Sequence, residues 1–172
     1  MSTTQTPLHS PPDAAPKHAA PVAGDPHVAA ARAIVASNAR WAAGVGLIPL
    51  PLVDWAAISG IQTRMLRQLC AEYKVPYDKA SASRYIGALV GGFVPASFGY
   101  SLASILKTVP IVGTAAFIAV PAVAYATTSA LGEVFIPHFE SGGNLYTFDP
   151  AAQTALFAYY YNRGKMAAEA AV

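Results

Sequence analysis

Charged positions are spread unevenly along this chain of 172 residues, and their longest gap sets its organisation. Between residues 85 and 132 the only charged side chain is Lys107, which divides the run into apolar segments 85–106 and 108–132. At ~1.5 Å rise per residue the first would measure about 33 Å as a helix and the second slightly more, against a hydrocarbon core about 30 Å thick. The pattern therefore predicts a membrane-spanning helical hairpin. Residues 28–48 also read as helix, stopped by Pro49 and Pro51. Over 51–73, Trp55, Ile58, Ile61, Met65, Leu66, Leu69 and Tyr73 form an apolar stripe opposite Arg64, Arg67, Gln68 and Lys74. That spacing predicts an amphipathic helix whose apolar face either lies in the membrane interface or covers the hairpin.

Turn chemistry separates these elements. Pro51 suits a first helical turn, with Asp54 opposing the positive end of the helix dipole. Pro76 stops the same helix, and Asp78 or Ser81 can cap the next. Ser141, Gly142, Gly143 and Asn144 end the second long helix, and Asp149-Pro150 reads as the N-cap and first residue of a last one. That last helix carries Leu156, Phe157, Tyr159, Tyr160 and Tyr161, then Arg163 and Lys165, an aromatic and basic set suited either to the headgroup region or to docking on a bundle. The expected fold is all-α: one amphipathic and one membrane-spanning helical hairpin, plus a C-terminal amphipathic helix.

Inside the apolar run, Gly87, Gly91, Pro95, Gly99 and Ala103 recur every four residues beside Ala88, Gly92 and Ala96. Small residues at that spacing let a second helix approach closely, with Ala115, Ala119, Ala122, Ala126 and Ala130 as the facing surface. Pro95 and Pro121 interrupt the two segments and are expected to kink them, with Thr127, Thr128 and nearby serines available to replace lost hydrogen bonds. A short internal match, LPLVDWAA at 50–57 and VPIVGTAA at 109–116, suggests two related hairpins, each closing in Glu, three residues and Pro (Glu72 to Pro76, Glu133 to Pro137).

Composition narrows the function classes. Charged residues are 12% of the chain against about a quarter in soluble domains, which favours lipid or a large partner surface. A net charge of +2 without a clustered basic face argues against nucleic acid. Residues 1–27 are rich in Pro and Ala and are expected to form a disordered tail without a secretory signal, leaving 28–172 as a single domain. His9, His18 and His27 recur there every nine residues, but nothing in such a tail would hold them in a ligand geometry, so no metal is expected. The lone Cys70 excludes an intrachain disulfide and reads as a small buried hydrophobe. Gly44, Gly46, Gly91 and Gly92 sit in apolar helical pattern without the Lys-Ser or Lys-Thr of a phosphate loop, so they read as packing glycines. Asp54, Glu72, Glu133, His138 and Glu140 fall in no catalytic motif, and neither an enzyme nor a cofactor is expected.

The segments LIPLPLVDWAAISGIQTRMLRQLCAEYKVPYDK, SILKTVPIVGTAA, TTSALGEVFIPHFESGGNLYTFDP and YYYNRGKMAAEA resemble the YcjF-related bacterial membrane domain of unknown function (domain-of-unknown-function family 697), often attached to small GTPase domains. The likeness spans residues 29–171. Its most specific parts are the turns at Pro51 to Asp54, at Pro110, Gly113 and Thr114, and at Phe139 to Gly143. It implies a helical inner-membrane module without established catalytic activity, working in some cases beside a GTPase. This chain has no GTPase domain, so such a partner would be separately encoded.

The combined expectation is a non-enzymatic membrane adaptor that recruits a cytoplasmic partner. Arg64, Arg67, Lys74, Lys79 and Arg84 lie on one side of the hairpin, which places that side and both termini in the cytoplasm of a bacterial inner-membrane protein. Tyr159, Tyr160 and Arg163 would join Arg64, Arg67 and Lys74 at the membrane interface. Two other classes stay open: a homo-oligomer forming a pore or remodelling membranes through its glycine faces, and a soluble bundle holding an apolar ligand between helices.

Overall fold

The computed structural model describes residues 25–46, 53–92 and 113–170. Among them every regular element is helical: α1 (Pro26–Val45), α2 (Val53–Glu72), α3 (Lys79–Ile86), α4 (Gly113–Glu140) and α5 (Pro150–Glu169). A π-helical turn over Gly87–Gly91 continues α3. The chain is all-α, as its pattern predicts.

Short polar side chains start three of the helices. Asp149 accepts from the Ala151 N–H at 2.9 Å with Pro150 in the first turn, as expected. Asp78, rather than Ser81, caps α3, taking the Ser81 N–H at 2.7 Å. Asp25 and Pro26 repeat the device on α1, which therefore begins two residues before Val28. His27 lies on this helix, its Nδ1 2.9 Å from Glu72.

Two helices end in the same backbone closure. After α4, the Gly143 N–H donates to His138 C=O and the Gly142 N–H to Phe139 C=O, with Gly142 at φ 80°. After α2, the Val75 N–H donates to Cys70 C=O and the Lys74 N–H to Ala71 C=O, with Lys74 at φ 54°. A side chain in that left-handed conformation costs about 1 kcal/mol that glycine avoids. Lys74→Gly is therefore expected to stabilise the fold by about that much, seen as a higher urea midpoint at unchanged m-value.

Helix α4 is the axis of the bundle. Gly46 lies by Pro121, Gly132 by Val35 and Glu133 by Arg32, so α1 runs antiparallel to α4. Phe148 stacks on Phe135 and Gly164 meets Ala126, so α5 is antiparallel too. Gln62 bonds Thr128 and Tyr73 meets Phe139, so α2 runs parallel. Met65, Leu66, Leu69 and Cys70 of α2 are fully enclosed with Leu131, Val134, Phe135 and Ile136 of α4 and Phe157 and Tyr161 of α5. Asn38 ties α1 to α2, donating to Gln68 Oε1 at 2.7 Å. Burial pushes the Cys70 thiol up to about 11, as for an inert core residue.

Several expectations are corrected here. Among the described residues no helix is long and apolar enough to cross a membrane. The second expected span instead runs on through Pro137 to Glu140, and Ala122, Ala126, Ala130, Leu131 and Val134 on its apolar side are buried against the chain itself. The first span is described only as far as Gly92, and Pro95, Gly99 and Ala103 lie outside the described residues. Gly87, Gly91 and Gly92 are exposed, and among the described residues a methyl on any of them would meet nothing, so they draw no described helix close. Gly46, Gly132 and Gly164 do so instead, bringing α1 and α5 against α4.

The second half of α2 covers the bundle, because Met65, Leu66 and Leu69 face inward. Arg64, Arg67 and Lys74 are exposed, as a polar face should be, while Ile58 and Ile61 nearer the start of the helix are half-buried. Of the expected hairpin turns, Pro51 and Pro110 lie outside the description, Asp54 is in the first turn of α2, and Gly113 and Thr114 open α4. The two Glu-x-x-x-Pro closures also differ, since α2 ends at Glu72 whereas Pro137 sits inside α4. Thr127 returns its hydroxyl to the Val123 and Ala124 carbonyls of its own helix.

Candidate functional groove between α1, α4 and α5

Gly164 is what opens this site. With Gly164 only 3.1 Å from Ala126 Cα, counting from where a methyl would stand, α5 sits close against α4, and the longer side chains on either side of the contact wall a groove. The groove encloses about 370 Å³ and is lined by Arg32, Tyr125, Ser129, Glu133, Tyr160 and Arg163, with Gly164 and Ala167 at its α5 edge. Arg32 comes from α1, Tyr125, Ser129 and Glu133 from successive turns of α4, and Tyr160 and Arg163 from one turn of α5.

Glu133 is its electrostatic centre. Its carboxylate lies 3.8 Å from Arg32 Nε and is largely buried, whereas Arg32 is more open. Burial raises the Glu133 carboxyl above its ordinary range, against the opposing pull of Arg32 and Arg163. Burial also raises the Tyr160 phenol, with the Glu133 charge adding to it. Arg163 lies over the Tyr159 ring, 5.9 Å from its centre. The lining thus offers two guanidiniums and three hydroxyls around one carboxylate, a set suited to a small anionic or hydrogen-bonding group of a partner.

The raised Glu133 carboxyl has a sign that can be checked. In the folded chain the proton is held to higher pH than in the unfolded chain, so stability falls as pH rises from the ordinary carboxylate range through the raised folded value. Glu133→Gln is expected to flatten that part of the stability profile, measured by urea unfolding across mildly acid pH. An unchanged slope would assign it to other carboxylates.

Two further clusters are structural. At the far end of α4, Phe135 stacks on Phe148 with centroids 4.1 Å apart, and Tyr85, Phe139 and His138 surround them. His138 is half-buried, and its Nε2–H donates to Asn144 C=O at 2.9 Å, holding the turn into α5. Nearby, the Tyr73 hydroxyl is buried, and burial together with the Glu140 carboxylate raises its phenol. No group of three or more His, Cys, Asp or Glu is placed to hold a metal among the described residues.

Among the expected interfacial residues, Tyr160 and Arg163 line the groove while Tyr159 flanks it. Arg64 and Arg67 lie on α2, and Lys74 follows it, so none of the three is part of the groove. Arg32 and Ser129 were not singled out as site residues by the sequence pattern; a lone arginine and serine on apolar helices carry no motif, and while Ser129 lies one turn from Glu133 on α4, only the antiparallel packing of α1 brings Arg32 beside them.

The fold and groove define a helical-bundle protein with a charged interhelical groove. The chain is similar to magnetosome membrane protein 22 of Magnetospirillum gryphiswaldense, with 33% identity over 126 residues. The match takes in 72% of this chain and 65% of the relative, so the chain spans slightly less than two thirds of that protein. No family model matches the chain. No solved structure matches it.

Proposed function

We propose that this protein is a non-enzymatic, membrane-associated adaptor, held at a bilayer by its apolar stretch and presenting the α1–α4–α5 groove to a partner. The observation that carries the reading is the similarity to a magnetosome membrane protein, joined to a run of 20 residues, 93–112, in which Lys107 is the only charge. The groove supports the adaptor part: Arg32 and Arg163 flank a largely buried carboxylate where an acidic or hydrogen-bonding side chain of a partner can seat. A separately encoded GTPase is one such partner, in keeping with the resemblance to the YcjF-related domain. The proposed location is a bacterial inner membrane with both termini cytoplasmic.

Carbonate extraction followed by flotation tests the anchor, and release of the chain into the soluble fraction would overturn it. Affinity purification from membranes, with wild type beside Arg32→Ala/Arg163→Ala, tests the adaptor. A defined protein recovered with the wild type and lost with the double variant supports the groove as its seat. Equal recovery with both moves the partner surface elsewhere.

A second reading, self-assembly, is favoured by one observation: Gly87, Gly91 and Gly92 are exposed with no described residue above them, leaving bare backbone for a second copy. It predicts that Gly91→Leu lowers the mass of the complex in detergent, and an unchanged mass would count against it.

A further inference from the structure

The helix pairings divide the bundle into two unlike ends, and we infer that the end formed by the N-terminus of α4 and the C-termini of α1 and α5 rests on a lipid bilayer. The inference rests on the membrane-association reading and adds the orientation of the bundle. Gly46 beside Pro121 and Gly164 beside Ala126 bring the last turns of α1 and α5 alongside the start of the described part of α4. Trp41 of α1, Val120 of α4 and Met166 of α5 therefore lie near one end, and they are 64%, 38% and 61% exposed. Each of three helices thus places a large exposed apolar side chain at this end, which a bilayer accommodates, with the tryptophan suited to headgroup depth.

Charge divides the same way. From the Arg32–Glu133 pair toward this end, the charged side chains that the structure describes are Arg40, Arg64, Arg163 and Lys165, all basic; the side chains of Asp54 and Glu169 are not described. The opposite end gathers Asp25, Glu72, Asp78, Glu140 and Asp149, with His27, Lys74 and Lys79 among them and with Arg67 near Tyr77 and Arg84 near Asp78. A negatively charged membrane surface attracts the first set, whereas the second mixes both signs and offers it no such attraction. Continuity of the chain agrees, since α4 starts at Gly113 at this same end, directly after the apolar residues 93–112.

The test uses the full chain bound to vesicles of phosphatidylcholine and phosphatidylglycerol, some lipids carrying a nitroxide quencher. Met166→Cys and, separately, Tyr146→Cys are labelled with a thiol-reactive fluorophore. Tyr146 is 67% exposed in the loop at the opposite end, and the enclosed Cys70 escapes native labelling. Both chains should float with the vesicles, the Met166→Cys label losing most of its fluorescence and the Tyr146→Cys label keeping nearly all of it. Quenching at Tyr146→Cys, or at neither position in floated protein, would overturn the orientation while leaving membrane association intact. Failure of the wild-type chain to float would overturn both.

Discussion

Phe135→Ala is expected to lower stability by about 3–5 kcal/mol, the usual cost of emptying an aromatic site that cannot collapse. Phe135 is fully buried, and its ring stacks on Phe148 while touching Phe139 and His138. It joins α4 to the start of α5, and Phe148 passes the contact on to Tyr85 of α3. Three segments therefore border the void left by the variant, and none can close it without separating from another. Because whole domains retain only about 5–15 kcal/mol, the loss would leave a marginal fold. Urea unfolding of the two chains in the same detergent or lipid measures it, and a loss below about 1 kcal/mol would mean that the cluster is not a core.

Gly132→Ala should destabilise by about 1–3 kcal/mol, although alanine is the better helix former by nearly 1 kcal/mol. A methyl on Gly132 overlaps the Val35 side chain, so α1 must move away from α4. Arg32 and Glu133 pair immediately beside this contact, and the displacement also loosens the groove. The cause can be isolated by combining it with Val35→Ala, which removes the side chain that the methyl meets. The double variant should lose less than the sum of the two single losses, a coupling of at least about 0.5 kcal/mol. Strict additivity would show that the contact is not what fixes α1 on α4.

Much of the local structure was legible along the chain. Asp78, Asp149-Pro150 and the Ser141 to Asn144 turn carry short-range chemistry, so the helix boundaries they set appear where the residues place them. The amphipathic stripe of α2 was equally plain, since Met65, Leu66 and Leu69 recur at helical spacing and are buried. The start of α1 was missed because Pro26 belongs to a proline-rich run, and only Asp25 as cap distinguishes it.

Partner choice was not legible. Periodicity identifies which side of a helix is apolar or small, but the same face can meet lipid, a neighbouring helix or a second copy. Gly87 and Gly91 matched the packing pattern and stand exposed, while the isolated Gly132 and Gly164 make the close approaches. The groove depends on the same choice, because Arg32, Glu133 and Arg163 are far apart in the chain and meet only when two antiparallel helices close on α4.

The sequence by itself determined an all-helical chain, its caps and turns, and a long apolar stretch carrying a single lysine, since all of these depend on neighbours within a turn or two. Tertiary structure alone decided that the second half of α2 lies against the bundle, which glycines bring described helices together, and that a largely buried carboxylate shares a groove with two arginines. Those outcomes depend on which apolar faces pair, a competition among long-range contacts that local spacing does not encode.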